Sequence, residues 1–287
     1  MKLRLGTRGS RLALAQADIA KRALEGLGFT VDLVVVRTKG DICKDRPVEE
    51  LGKGMFVKEI ERKLLEGSID LAVHSAKDMP SELPEGLEVA AYLKREDPSD
   101  CLVTPDGRKL DELEEGAKVG TSSPRRAFQL LGFRSDLEVV PMRGNLDTRI
   151  RKLLEGTYDA IVVAYCGLLR LGLEGWASEV FDPDTFLPSP GQGALALEVV
   201  SDGGMASKLK TIDHVPTRAE VEAEKAFVMR LGGGCRRAIG ALGRWSDGKV
   251  RLKGVLYCEG RRLEVEGEGE DPRELGIWLA EEVLRSI

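Results

Sequence analysis

Aromatic residues make up 5% of the 287-residue chain, histidine occurs twice, and the net charge is −5, so the chain as a whole carries no basic excess. A nucleic-acid binder needs a basic face with aromatic side chains for stacking, and this composition argues against one. With only His74 and His214, a multi-histidine metal centre is excluded and a Ser-His-Asp triad has little to draw on, so no metal is expected. The five cysteines are widely spaced and form no CxxC, which suggests neither a disulfide framework nor a zinc site and fits a reducing cytoplasm. No apolar run is long enough to span a bilayer, and the opening Met-Lys-Leu-Arg carries charge where a signal peptide needs its apolar core, so a soluble protein without membrane attachment is expected. The length does allow two or three ordinary cores.

The residues present read as α/β units. A short strand over 3–5 runs through the turn Gly6-Thr-Arg-Gly-Ser10 into a helix over 11–27, with Ser10 as N-cap. A β-branched run over 31–36 follows, and Phe56, Ile60 and Leu64 recur at helical spacing. Residues 69–74 are an apolar run that leads into Ser75-Ala-Lys-Asp78 and stops at Pro80. In a parallel sheet that end of a strand opens on the ligand crevice, so Asp78 is a candidate site carboxylate, with a turn or capping role as its bland alternative. The charged, glycine-bracketed stretch 40–54 reads as a flap or an ordinary surface loop.

The same order then returns. Gly120-Thr-Ser-Ser-Pro124 again leads from strand to helix, 137–141 is again a strand ending in a basic turn, and Lys152-Leu-Leu-Glu-Gly156 repeats Lys63-Leu-Leu-Glu-Gly67, each followed by an Asp, Asp159 and Asp70. Two like lobes are expected, joined by proline-bearing crossings at 95–99 and 187–193. The expected boundaries are lobe one at 1–95 with 194–212, lobe two at 98–188, and a small α+β domain at 215–287. The last opens with a Thr217-Arg-Ala-Glu220 capping box and continues with three short strands and a helix capped by Asp271.

For an acidic protein, the arginines are concentrated at turns: Arg8 and Arg11, Arg125 and Arg126, Arg143 and Arg149. Turns that open helices present free N–H groups, and arginine adds a bidentate fork, so a polyanionic ligand is predicted. Cys235 lies in Gly232-Gly-Gly-Cys-Arg-Arg237, where glycines uncover the backbone and arginines favour the thiolate. Without a histidine base nearby, a covalent attachment point fits better than thiol-protease chemistry. Gly52-Lys-Gly54 lacks phosphate-loop spacing, and Gly191-Gln-Gly193 is not a dinucleotide fingerprint. Residue by residue, a two-lobed anion receptor and a cysteine transferase with a transient adduct remain open.

Taken in order, Gly6-Thr-Arg-Gly-Ser10, Gly52-Lys-Gly-Met-Phe-Val-Lys-Glu59, His74-Ser-Ala-Lys-Asp-Met-Pro80, Gly120-Thr-Ser-Ser-Pro-Arg-Arg126, Arg143-Gly-Asn-Leu-Asp-Thr-Arg149 and Gly233-Gly-Cys235 resemble the porphobilinogen deaminase family over nearly the whole chain. The resemblance implies two doubly wound α/β lobes of the periplasmic-binding-protein type around a cleft, plus a C-terminal α+β domain with a three-stranded antiparallel sheet. It implies a cytoplasmic monomer that joins four porphobilinogen molecules head to tail, releasing ammonia each time. The product, hydroxymethylbilane, is built on one covalent dipyrromethane cofactor per chain. Cys235 is then the thioether anchor and Asp78 the catalytic carboxylate. Lys77, Ser75, Thr121, Ser122, Ser123, Arg125, Arg126, Arg143 and Gly144 are implied to hold the cofactor, and Arg8, Ser10, Phe56, Arg149, Arg170 and Gln192 the substrate. Arg236-Arg-Ala238 departs from the family's Gln-Val-Pro, Ala76 from a larger apolar residue, and Pro124 from an aliphatic one. Proline is tolerated in a first helical turn, whose N–H groups are free anyway.

Overall fold

A computed structural model describes residues 1–37, 57–201, 203–233 and 238–287. The chain opens with β1 (Lys2–Arg8), α1 (Arg11–Glu25), β2 (Thr30–Val36), α2 (Lys58–Leu65), β3 (Leu71–Ser75) and β4 (Leu87–Tyr92). Next come β5 (Asp100–Val103), β6 (Lys118–Gly120), α3 (Pro124–Phe133), β7 (Glu138–Val140), α4 (Leu146–Leu154), β8 (Ala160–Ala164), α5 (Tyr165–Leu171) and β9 (Glu179–Val180). It returns through β10 (Leu195–Val200), α6 (Met205–Leu209) and α7 (Val215–Arg230), and closes with β11 (Ala238–Ser246), β12 (Lys249–Cys258), β13 (Arg261–Gly269) and α8 (Pro272–Arg285).

The first sheet has the order β2-β1-β3-β10-β4 and the second β7-β6-β8-β5-β9. In the first, β1 runs parallel to β2 and β3, and β10 lies antiparallel between β3 and β4. In the second, β6 is parallel to β7 and β8, and β5 lies antiparallel between β8 and β9. The lobes are therefore alike, except that the antiparallel strand comes last in lobe one and first in lobe two.

The repeated Lys-Leu-Leu-Glu-Gly has a physical reason. Gly67 (φ +67°) and Gly156 (φ +74°) end α2 and α4 in the left-handed conformation, where glycine avoids a Cβ penalty. Three residues on, Asp70 and Asp159 perform the same task. Each donates its N–H to the carbonyl of the strand opposite, Arg4 or Lys118, at 2.9 Å, and its carboxylate accepts that residue's N–H at 2.7 Å. This clamp sets the entry of β3 beside β1 and of β8 beside β6.

β3 is buried from Leu71 to His74 and apolar from Leu71 to Val73 because both of its faces are covered, as is usual for an interior strand of an α/β sheet. Leu3, Leu5, Leu71 and Leu197 pack under Ala17, Ala20 and Leu24 of α1, all essentially fully buried. Each such leucine contributes about 1.5–3 kcal/mol. The C-terminal sheet, β11-β12-β13, has one face covered by α7 and α8 around Phe227, Leu252, Leu279 and Val283. Gly276 permits that packing, since a Cβ there would lie 2.3 Å from the Ala223 carbonyl oxygen.

One expected boundary is corrected. α7 starts at Val215 rather than at a Thr217-to-Glu220 capping box, and its N-cap is His214, whose Nδ1 accepts from the Thr217 N–H at 3.3 Å. Pro216 extends the helix backwards because it needs no N–H partner in the first turn. Thr217 and Glu220 are engaged elsewhere: the Thr217 hydroxyl accepts from the Arg95 N–H at 2.9 Å and Glu220 from the Trp245 N–H at 3.1 Å. Ser10 and Asp271 do cap their helices as expected. Among the described residues no helix is long and apolar enough to cross a membrane, and no cluster of His, Cys, Asp or Glu could hold a metal.

Candidate active site

β3 ends at Ser75 and a single 3₁₀ turn, Ala76–Asp78, follows. The turn is pinned from behind: the buried Ala76 donates its N–H to the Ala194 carbonyl at 3.0 Å. Gly191 presses against it so closely that a Cβ would lie 3.0 Å from both the Ala76 carbonyl carbon and the Lys77 nitrogen, and its φ of +76° also suits glycine. Asp78 is thereby turned outward. It is exposed and lines a pocket with Thr7, Arg8, Ser10, Gln16, His74 and Ser75, where the parallel strands β1 and β3 end together. Gln16 donates to the Ser75 hydroxyl at 2.9 Å, and buried His74 Nε2 lies 3.0 Å from buried Glu198 Oε2. Lys225 of α7 donates to the Met79 carbonyl at 2.7 Å, which ties the C-terminal domain to the loop beyond Asp78.

Lobe two contributes the turns after β6 and β7. Ser123 caps α3 by accepting the Arg126 N–H, with Pro124 in the first turn. Thr121 Oγ1 accepts the Ser123 N–H at 3.2 Å. The Ser122 hydroxyl donates to the Met142 carbonyl at 2.7 Å and accepts the Met142 N–H at 2.9 Å, so it fixes the residue preceding Arg143. Arg149 donates Nε–H to the Gly144 carbonyl at 2.8 Å. Burial and, next, the charge of Arg126 push the Arg149 pKa down to about 10. Arg11 bridges the two lobes through Asp147 at 3.2 Å, an exposed pair of small energetic weight.

Arg125 and Arg126 point inward rather than along the surface, at 4% and 7% exposure. Both pair with Asp100 at the start of β5: Arg125 Nη2 is 2.7 Å from Oδ2, and Arg126 Nη2 is 2.5 Å from Oδ1. Arg125 also donates to the Leu187 carbonyl at 2.6 Å and Arg126 to the Val162 carbonyl at 3.0 Å.

Between the lobes the two crossings are knitted together. Gln192, fully buried, donates to the Pro98 and Ser99 carbonyls and, at 2.9 Å, to Asp100, while its Oε1 accepts from Lys77 Nζ at 3.1 Å. Arg170 pairs with Glu96 and donates to the Gly193 carbonyl, both at 2.7 Å. Gly193 (φ +88°) cannot carry a side chain, since a Cβ would sit 2.3 Å from the Glu96 oxygen. Arg95 crosses to the C-terminal domain, where fully buried Glu224 takes its guanidinium at 2.6 and 3.2 Å and also accepts the Gly191 and Gly243 N–H groups. Sequence reasoning missed Asp100, Arg95 and Glu224. Their signal was slight: an acid opening the apolar run Cys101-Leu-Val103, an Arg between crossing residues, and one acid among several on a helix.

A family model described as the porphobilinogen deaminase dipyromethane cofactor binding domain matches residues 3–208, and one described as the porphobilinogen deaminase C-terminal domain matches 218–285. The chain belongs to the porphobilinogen deaminase family. It is 47% identical to the porphobilinogen deaminase of Pelotomaculum thermopropionicum, over 99% of this chain and 93% of that protein. With that of a Roseiflexus species it shares 46% identity, over 98% and 95%. Among solved structures, the periplasmic VFT2 domain of Bordetella pertussis BvgS covers 74% of this chain and 86% of its own, at 16% identity and a TM-score of 0.45.

Porphobilinogen deaminases are transferases with a dipyrromethane cofactor, whose two pyrroles bring four carboxylates. The cleft suits such a group. Arg126 Nε is buried without a hydrogen-bond partner, and Arg149 carries its charge against burial and a like neighbour, so an incoming anion would relieve both. The implied anchor Cys235 and the implied ring-stacking Phe56 lie outside the described residues, as does the stretch 40–54. The flank of Cys235 is described: Ala241 of β11 donates to the Pro188 carbonyl, and the neighbouring Leu187 carbonyl accepts from Arg125. The strand leaving the cysteine segment thus runs beside the arginine pair.

Proposed function

We propose that this chain makes hydroxymethylbilane from porphobilinogen with Asp78 as its catalytic carboxylate, between two walls that bind carboxylates. When attached, dipyrromethane supplies the primer on which the tetrapyrrole grows. Asp78 stands at the rim of a pocket where a pyrrole N–H can meet its oxygens. A carboxylate there stabilises the positive charge that develops as the aminomethyl group loses ammonia, and it can take and return a proton. Arg8 and Ser10, in the same pocket, bind a carboxylate of the incoming porphobilinogen, and Arg149 serves the same end from lobe two. Lys77, Arg143, Arg125 and Arg126 hold the cofactor's acetates and propionates, helped by Ser75, Thr121, Ser123 and the Gly144 turn. Ser122 acts by fixing that turn, and Cys235 forms the thioether. Phe56 stacks on a pyrrole. Arg170 and Gln192 serve the substrate through the crossings they brace.

The lobes divide as 1–95 with 194–212 and 98–188, and 215–287 carries the anchor. The enzyme works in the cytoplasm as a monomer on a small soluble substrate, without nucleic acid. What supports this reading most is the grouping of Asp78 with Arg8, Ser10 and Ser75 at the ends of β1 and β3, with Lys77 of the same turn linked across the cleft to the arginines of lobe two. The test is the intact mass of the denatured protein after incubation with porphobilinogen, beside Cys235→Ala. An excess of two porphobilinogens less two ammonias, absent from the variant, is expected. Bare sequence mass in both proteins would refute the reading and favour an anion receptor.

A further inference from the structure

Two arginines buried side by side are costly unless an anion is buried with them. Asp100 is that anion. It is fully buried, both of its oxygens face guanidinium groups, and Oδ1 also receives Gln192 Nε2. Gln192 is held with its amide N–H groups toward the Pro98, Ser99 and Asp100 oxygens, which leaves its own oxygen for Lys77. One carboxylate just past the first crossing, at the start of β5, therefore touches the basic helix start of lobe two directly and reaches the Ala76–Asp78 turn of lobe one through a single side chain.

We propose that Asp100 is a positioning residue, which orients Arg125 and Arg126 from beneath and, through Gln192, sets Lys77 against them. Arg125, Arg126 and Lys77 outnumber Asp100 three to one, so the linkage leaves positive charge over for the anionic contents of the cleft. It aligns the two walls without cancelling their attraction for carboxylates. Asparagine at this position keeps the shape but removes the balancing charge and turns an N–H₂ toward a guanidinium. The effect on turnover rests on the function proposed above, whereas the linkage to Lys77 does not.

The test uses the full-length protein as wild type, Asp100→Asn, Gln192→Leu and the double variant. Lys77 acetylation by acetic anhydride is followed by peptide mass against exposed Lys94, alongside kcat and KM for porphobilinogen. Each single variant should speed Lys77 labelling about threefold or more, and the double variant should add little, because the two residues act in series. kcat should fall about tenfold or more with KM changed far less, as expected for a misplaced group. Unchanged Lys77 labelling in the folded variants overturns the proposal, and so does a lowered melting temperature with kcat intact, which would mark a purely structural role. If Asp100→Asn does not fold, Gln192→Leu decides alone by the same two readings. A wild type without turnover would fail the functional reading while the labelling still decides the linkage.

Discussion

Replacing Glu224 by alanine removes the acceptor at which both crossings and the C-terminal domain meet. Arg95, whose side chain is 7% exposed, would lose its contacts at 2.6 and 3.2 Å; its Nε–H would still reach the Gln192 carbonyl at 2.8 Å, but its carboxylate partners would shrink to a 3.5 Å approach to Glu220. The buried N–H groups of Gly191 and Gly243 would lose acceptors at 2.6 and 2.8 Å. Breaking one side of a buried ion pair costs about 3–5 kcal/mol, and each orphaned buried N–H costs about 1–3 kcal/mol. The terms overlap, and Glu220 recovers part of the first, so a net loss of about 5 kcal/mol is expected. For a chain of this size that lowers Tm by roughly 10 °C or more. Thermal unfolding by circular dichroism gives the number. Glu224→Gln, which keeps an acceptor for one glycine, should fall between. A Tm for Glu224→Ala within about 2 °C of wild type would refute the idea that this carboxylate joins three parts of the molecule.

Asp78→Asn should lower the rate of product formation about a hundredfold or more while Tm barely moves, because an exposed rim carboxylate contributes to chemistry rather than packing. A near-normal rate in a pyrrole-consumption assay would remove Asp78 from the mechanism. Acid should also expose Asp100. Burial disfavours its charge, but the Arg125 and Arg126 cations outweigh burial and hold its carboxyl below the usual carboxylate range. With a folded pKa below the unfolded value of about 3.9, its stabilisation is complete above that pH and is lost as pH falls through and below it. Melting temperatures measured from about pH 5 down to pH 2 should therefore fall more steeply for wild type than for Asp100→Asn, and parallel slopes would count against the pairing.

The elements themselves were legible because local rules govern them. Ser10 and Asp271 cap helices wherever they fold, Gly67 and Gly156 stop helices by backbone geometry alone, and β-branched runs mark the strands. The repeated pattern of helix end, glycine and aspartate announced two like lobes because the same clamp is needed in each. The start of α7 was misplaced because Thr217 has the local chemistry of a cap, and only its tertiary partner Arg95 reveals another use.

The sequence by itself determined the α/β class, the repeated lobes, the crowding of arginine at helix starts and the candidacy of Asp78, since each depends on neighbours along the chain. What only the tertiary structure decided is how those charges are balanced. That Arg125 and Arg126 face Asp100, that Gly191 and Gly193 let the crossings close on the Ala76–Asp78 turn and on Glu96, and that Glu224 collects Arg95 with two distant backbone N–H groups depend on residues tens of positions apart. A buried charge must find its partner wherever the fold brings one, and no spacing along the chain records that meeting.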